Sequence, residues 1–167
     1  SIGLVSRVQR YADAGLVWRR LQEACPALPP PVCVGFPAEE FRRVGMEECA
    51  ALSAFRGRSA VIFSGIGNAS SFRALIEGVG VTVIDHLAFP DHVHYTHAMV
   101  EGIRAKAKSE GVDVWLTTEK DADKVAPFLT NADACWAVRL RTEIVSGQDR
   151  LEAVLRLDGP NKAAGHA

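Results

Sequence analysis

The sequence has no apolar run approaching the roughly 18 to 20 residues that a bilayer-spanning helix requires. It also lacks an opening basic segment followed by an apolar signal core, so a secreted or membrane-spanning chain is not expected. Neither charge is in excess: 19 Lys+Arg stand against 20 Asp+Glu, a formal net charge of -1, and nothing favours nucleic acid as a partner. Cys25, Cys33, Cys49 and Cys135 form no C-x-x-C pair, which speaks against a disulfide frame or a structural zinc site. The expectation is a reduced cytosolic chain whose thiols serve as small apolar residues. No lysine follows a glycine, so there is no G-x-x-x-x-G-K-[ST] triphosphate loop, and Ser64, between Phe63 and Gly65, is not in a G-x-S-x-G nucleophile elbow.

What is present is 167 residues, 48% of them hydrophobic and 23% charged, enough to bury the core of one ordinary domain. The chain enters the apolar stretch Ile2 to Val5 directly after Ser1, as expected of a piece of a longer protein. Short apolar runs alternate with longer amphipathic ones, which is the pattern of an α/β layered fold with a mainly parallel sheet flanked by helices. Strands are expected at Ile2 to Val5, Val32 to Gly35, Ala60 to Ser64, Val81 to Leu87, Val114 to Thr117 and Cys135 to Leu140. Helices are expected at Asp13 to Ala24, at about Ser70 to Gly78, at Thr96 to Glu110, from Thr118 to near Pro127, and to Leu157 from a cap at Ser146. Phe36 to Arg58 reads as helical turns and linker, because Pro37-Ala38-Glu39-Glu40 would start a helix that Gly45 and Gly57 interrupt. The chain thus divides into a strand-helix and linker segment, 1–58, an α/β domain, 59–157, and a disordered tail, 158–167.

Three motifs carry candidate chemistry. In Ser64-Gly65-Ile66-Gly67-Asn68-Ala69-Ser70, paired glycines at a strand-to-helix turn let the backbone approach a ligand, and the helix N-terminus offers N–H groups to an anion. A dinucleotide fingerprint would want a third glycine where Ser70 stands, although Asp85 lies about twenty residues on. The plain alternative is a tight turn capped by Asn68 or Ser70. In Phe89-Pro90-Asp91-His92-Val93-His94-Tyr95, with His86 and His97 on either side, imidazoles could relay protons, but no i, i+4 metal-binding pair is offered and no metal ligand is assigned. Alternatively these are surface histidines in a turn set by Pro90 and Asp91. In Thr117-Thr118-Glu119-Lys120-Asp121, a lysine at the carboxyl end of a strand is placed to meet an anion, while Thr118 and Asp121 would also serve as cap residues.

The order of these motifs resembles the C-terminal half of the tetraacyldisaccharide 4'-kinase family of lipid A biosynthesis. Gly65, Ile66, Gly67, Asn68 and Phe72 match its G-I-G-N-P and helix Phe, with Ala69 in place of the proline; Leu75 to Gly80 match a leucine-glycine helix end. Phe89, Pro90, Asp91, His92, Tyr95 and Thr96 match F-P-D-H-x-x-Y-T, and Thr118, Lys120 and Asp121 match T-x-K-D. The resemblance covers about residues 59 to 140; before it, Leu4-Val5-Ser6-Arg7 stands loosely in the position of a core strand.

The resemblance implies a P-loop-kinase-like C-terminal half lacking the P-loop, from an enzyme that moves the γ-phosphoryl group of ATP to the 4'-hydroxyl of tetraacyldisaccharide 1-phosphate. ATP and magnesium would be bound mainly by an N-terminal part outside this chain, so the chain by itself is expected to be inactive. The enzyme would be peripheral, at the cytoplasmic side of the bacterial inner membrane. His92 would assist deprotonation, paired with an acidic residue from outside this chain, and Asp91 would orient the loop. Lys120 would meet phosphate, with Gly65, Gly67, Asn68, Tyr95, Thr118 and Asp121 shaping the cleft. A stand-alone dinucleotide or small-ligand module using Gly65, Gly67 and Asp85, or a non-catalytic docking domain, are the alternatives.

Overall fold

The computed structural model describes residues 4–6, 11–27, 29–112 and 114–157, with side chains from 18 to 155 apart from 28 and 113. The expected tail, 158–167, and the strand start at Ile2 lie outside these residues. In chain order the elements are β1 (Leu4–Ser6), α1 (Tyr11–Ala24), β2 (Val32–Gly35), β3 (Ala38–Arg43), β4 (Cys49–Ala51), β5 (Ser59–Ser64) and α2 (Ala69–Val79). They continue as β6 (Thr82–Ala88), α3 (His97–Ser109), β7 (Val114–Thr118), α4 (Glu119–Val125), β8 (Cys135–Leu140), β9 (Glu143–Ser146) and α5 (Gln148–Leu157). They form two compact units: one runs from Ala38 to Arg141, and the other joins the chain up to Pro37 with the chain from Thr142.

In the smaller unit β1 lies parallel to β2, with Leu4 opposite Val32 and Ser6 opposite Val34. β9 lies antiparallel on the other side of β2, with Gly35 opposite Glu143. Ser146, expected as a helix cap, instead ends β9, and α5 starts after Gly147 at φ +83. A Cβ at Gly147 would stand 3.1 Å from both the Pro31 carbonyl oxygen and Val32 Cα, so the close approach to β2 requires glycine there. Arg150 fastens the same corner by donating to the Pro31 carbonyl at 2.9 Å.

The larger unit is a six-stranded sheet in the order β4-β3-β8-β7-β5-β6. The four strands β6, β5, β7 and β8 are parallel, as the crossover pattern of the sequence requires. β5, between β7 and β6, is buried on both faces. Ala60 and Ile62 pack with Phe72 and Ile76 of α2, while Val61 and Phe63 pack with Val100 and Ile103 of α3 and Val125 of α4.

Residues 36–58, expected as helical turns and linker, are instead the antiparallel β3–β4 hairpin followed by a single 3-10 turn, Leu52–Phe55. β3 pairs along β8, from Ala38 opposite Leu140 to Arg43 opposite Trp136. Phe41, fully buried, meets Phe55 with ring centroids 4.3 Å apart. Pairing with β8 and the burial of one aromatic override the local helix-start signal. The hairpin thus belongs to the larger unit, which begins at Ala38. All four cysteines are free; Cys33 and Cys135 are buried as the apolar reading expects, whereas Cys25 and Cys49 are exposed.

α3 is locked to the loop before β8 by Arg104, whose Nε and Nη2 both donate to the Asp133 carboxylate at 2.7 Å while the guanidinium lies over Trp115. Arg104, with the Thr130 N–H and hydroxyl, holds the Asp133 carboxyl down at about 2, against the opposing pull of burial. Such a carboxylate stabilises the fold fully above the ordinary aspartate range and loses that contribution as pH falls towards 2. About 2 kcal/mol of stability is therefore expected to disappear between roughly pH 4 and pH 2. Urea titrations across that range check this, and Asp133→Asn is expected to flatten the dependence. The hairpin has its own test: Phe41→Ala is expected to cost about 3–5 kcal/mol, whereas a residue on a solvated linker would cost almost nothing in the same unfolding measurement.

Candidate functional site

Because β5, β6 and β7 are parallel, the segments that follow them gather at one carboxyl edge of the sheet, where parallel α/β folds place their ligand sites. All three motifs therefore meet. The Gly65–Asn68 turn follows β5, the 89–96 loop follows β6, and Thr118 leads from β7 straight into α4.

The buried member of this meeting is Asp121, which is 0% exposed. Its Oδ2 accepts the Gly65 N–H at 2.9 Å and the Thr118 hydroxyl at 2.8 Å, and its Oδ1 lies 3.3 Å from Lys124 Nζ. Thr118 Oγ1 in turn accepts the Asp121 N–H at 3.3 Å, so the cap expected at the start of α4 is present. Asn68 caps α2, accepting the Ser71 N–H at 3.0 Å and the Ser70 hydroxyl at 2.9 Å.

Gly65 is the contact point with the 89–96 loop. A Cβ there would collide with Val93 Cγ1 and come within 3.2 Å of Asp121 Oδ1 and 3.4 Å of the Pro90 carbonyl oxygen. The loop is held on both sides of its tip, by the Phe89 N–H donating to the Ser64 carbonyl at 2.8 Å and the Val93 N–H to the Pro90 carbonyl at 3.2 Å. At the tip His92 has φ +60, a left-handed conformation that non-glycine residues seldom adopt. Its N–H donates to Asp91 Oδ1 at 3.0 Å, its Nε2 lies 3.9 Å from Asp91 Oδ2, and its side chain is 82% exposed.

Tyr95 points the other way. Its buried ring stands edge-on to Phe63 and Phe89, and its hydroxyl finds no hydrogen-bond partner among the described residues. Burial, reinforced by the neighbouring Asp121 carboxylate, pushes the phenol well above its ordinary range.

The site residues expected from sequence thus separate by depth. Gly65, Tyr95 and Asp121 are buried and Thr118 is half-buried, while Gly67, Asn68, Asp91, His92 and Lys120 are exposed. Among the described residues the other histidines do not join a cluster. His94 and His97 are exposed, whereas His86 sits back on the sheet with Nε2 3.0 Å from the buried Ser64 Oγ and its ring edge-on to Phe72. Burial, aided by Arg73, lowers the His86 pKa and keeps this imidazole neutral at pH 7. The Ser64–His86 tie had no sequence signal, because its partners lie on adjacent strands. Asp85, the acidic residue a dinucleotide reading needs, is paired with Lys106 at 3.0 Å.

The family model for tetraacyldisaccharide-1-P 4'-kinase matches residues 20–158. The chain belongs to this family. It is 36% identical over 112 residues to the tetraacyldisaccharide 4'-kinase of Anaeromyxobacter dehalogenans (strain 2CP-C), covering 66% of this chain and 30% of that protein. With the Rhodopseudomonas palustris (strain TIE-1) enzyme it shares 38% identity over 78 residues, 47% of this chain and 23% of the relative. The chain therefore spans about a third or less of the curated relatives it matches. The crystal structure of the "apo" form of LpxK from Aquifex aeolicus in complex with ATP aligns with 92% of this chain and 50% of that one, at a TM-score of 0.51 and 18% identity, a likeness of fold. The architecture is accordingly α/β and P-loop-kinase-like. The glycine turn, F-P-D-H-x-x-Y-T loop and T-x-K-D segment that carried the resemblance to the tetraacyldisaccharide 4'-kinase family all lie on one edge of the larger unit.

A left-handed residue other than glycine costs about 1–2 kcal/mol, and the exposed His92 ring has little packing with which to offset it. His92→Gly is therefore expected to leave stability unchanged or raise it by up to about 1 kcal/mol. Denaturant unfolding decides: a loss of stability would show that the imidazole is a packing element and count against a functional role.

Proposed function

We propose that this chain forms part of a lipid A 4'-kinase that transfers the γ-phosphoryl group of ATP to the 4'-hydroxyl of tetraacyldisaccharide 1-phosphate, with magnesium, working peripherally at the cytoplasmic face of the bacterial inner membrane. The carrying observation is His92, a left-handed, solvent-exposed histidine at the tip of a firmly held loop, in the family motif and beside the other two motifs. Backbone strain held in place by its surroundings is a mark of functional positions.

The glycine turn does not fit a triphosphate cradle. Its Gly65 N–H already serves Asp121, and a Cβ on Gly67 would lie 3.5 Å from Asp91 Oδ2, so two carboxylates stand where a phosphate would need donors. ATP and magnesium are accordingly assigned mainly to residues outside this chain. The same occupancy, with Asp85 paired to Lys106, leaves the dinucleotide reading without its anion site or its ribose partner.

In this reading His92 assists removal of the proton from the acceptor hydroxyl, paired with an acidic residue from outside this chain. Asp91 orients the loop through the His92 N–H, and the exposed Lys120, on the first turn of α4, meets nucleotide or substrate phosphate. Phosphoryl transfer depends on positioning and charge stabilisation, and these are the roles the exposed residues fill.

A positioned proton acceptor is worth about 10²–10⁴ in rate. His92→Ala in the intact enzyme is expected to lower kcat by a factor in that range with ATP affinity and melting temperature nearly unchanged. His94→Ala, two residues along in the same loop and outside the motif, is expected to be mild. Equal effects of the two substitutions in a steady-state kinase assay would return both histidines to the surface.

A further inference from the structure

We propose that Asp121 is a positioning residue that sets the loop carrying His92 through the Gly65 backbone, and that it touches no ligand itself. This rests on the functional reading above. The Asp121 side chain is completely buried, which removes it from any substrate or nucleotide, yet it is bonded to both the glycine turn and the start of α4. The Gly65 backbone it fixes is in turn what the loop rests on, since Val93 and the Pro90 carbonyl occupy the space a Cβ at Gly65 would need. Displacing Gly65 therefore displaces the segment Pro90–Val93, which includes His92. Tyr95, two residues past Val93, anchors the far side of the same loop through its buried ring, which stands edge-on to Phe63 and Phe89.

The chemistry calls for a carboxylate at this position. The Gly65 N–H, the Thr118 hydroxyl and the Lys124 ammonium are all donors, and an ionised carboxylate is a pure acceptor that meets them together. An asparagine has one acceptor oxygen: placed on Gly65 and Thr118 it turns its NH₂ against the Lys124 ammonium, and placed on Lys124 it turns its NH₂ against the Gly65 N–H. Asp121→Asn is thus a change of a few atoms, made beneath the surface, whose consequence is expected at His92.

The intact enzyme carrying Asp121→Asn tests this. Misplacement of a reacting group by about 1 Å can cost on the order of 10²-fold, so kcat is expected to fall about 10- to 100-fold with the KM values for ATP and the disaccharide little changed. The loss is expected to vanish when His92 is already alanine, because Asp121 acts through that loop. Hydrogen exchange of the Phe89 and Val93 amides is expected to quicken, with amides of β3 and β8 unaltered. Losses that multiply in the double variant, or unchanged exchange at Phe89 and Val93, would overturn the proposal. Should Asp121→Asn fail to fold, Thr118→Ala removes one of the two donors to Oδ2 at the milder expense of a helix cap, and is expected to show a smaller effect with the same dependence on His92. The exchange measurement needs no turnover. If the wild-type protein lacked 4'-kinase activity while Phe89 and Val93 still loosened, the functional reading would fail and the tether would stand.

Discussion

At the carboxyl edge of the larger unit the β5 ladder stops at Ser64, and the next backbone donor, the Gly65 N–H, is buried with no strand to receive it. An unpaired buried donor costs about 1–3 kcal/mol, so something must reach across. Asp121 does so from the first turn of α4, and the burial of its charge is offset by the Thr118 hydroxyl and Lys124. This bond joins the end of β5 to the start of α4, and the 89–96 loop rests on the turn it fixes. Without it the three motifs would sit on neighbouring strand ends with nothing to set their relative heights.

The glycine pattern acquires a packing explanation from the same arrangement. Gly65 is glycine because Val93 and Pro90 press on it, and the donors a bound phosphate would use are faced by the chain's own carboxylates. A dinucleotide fingerprint and a turn that must accept a loop on its back ask for similar residues, and sequence spacing alone does not separate them. The carboxylate partners do.

How much of this was legible in the sequence follows from how local each signal is. The parallel strands, α2, α3 and the Thr118 cap were readable because periodicity and capping act within a few residues. The β3–β4 hairpin was not. β3 carries one large apolar residue, Phe41, and its charges are answered from elsewhere, Glu40 by Arg139 at 3.2 Å and Arg43 by Glu48 at 2.9 Å, so its short segment imitates a helix start. β9 was missed for a related reason: it is four residues long and exposes Ile144 and Val145. In the site, motif order brought the right segments together, but the depth of each residue was hidden. The Gly65–Asp121 bond spans 56 residues, a separation no local window contains.

The two histidines on either side of Phe89-Pro90-Asp91 show what that depth means for function. His86 has a bonded nitrogen, an aromatic neighbour and a depressed pKa, all of which hold a ring still and neutral. His92 has none of this packing, and the strain of its left-handed backbone is borne by the Phe89–Ser64 and Val93–Pro90 hydrogen bonds on either side. A side chain whose backbone is fixed by other residues need not contribute to the fold, and its ring is left accessible at the edge where the three motifs meet. Binding and catalytic groups are commonly arranged this way, exposed on loops that a rigid scaffold positions from below. Asp121, Gly65 and Tyr95 lie buried beneath this loop, and in the proposed function their burial matters as much as the exposure of His92.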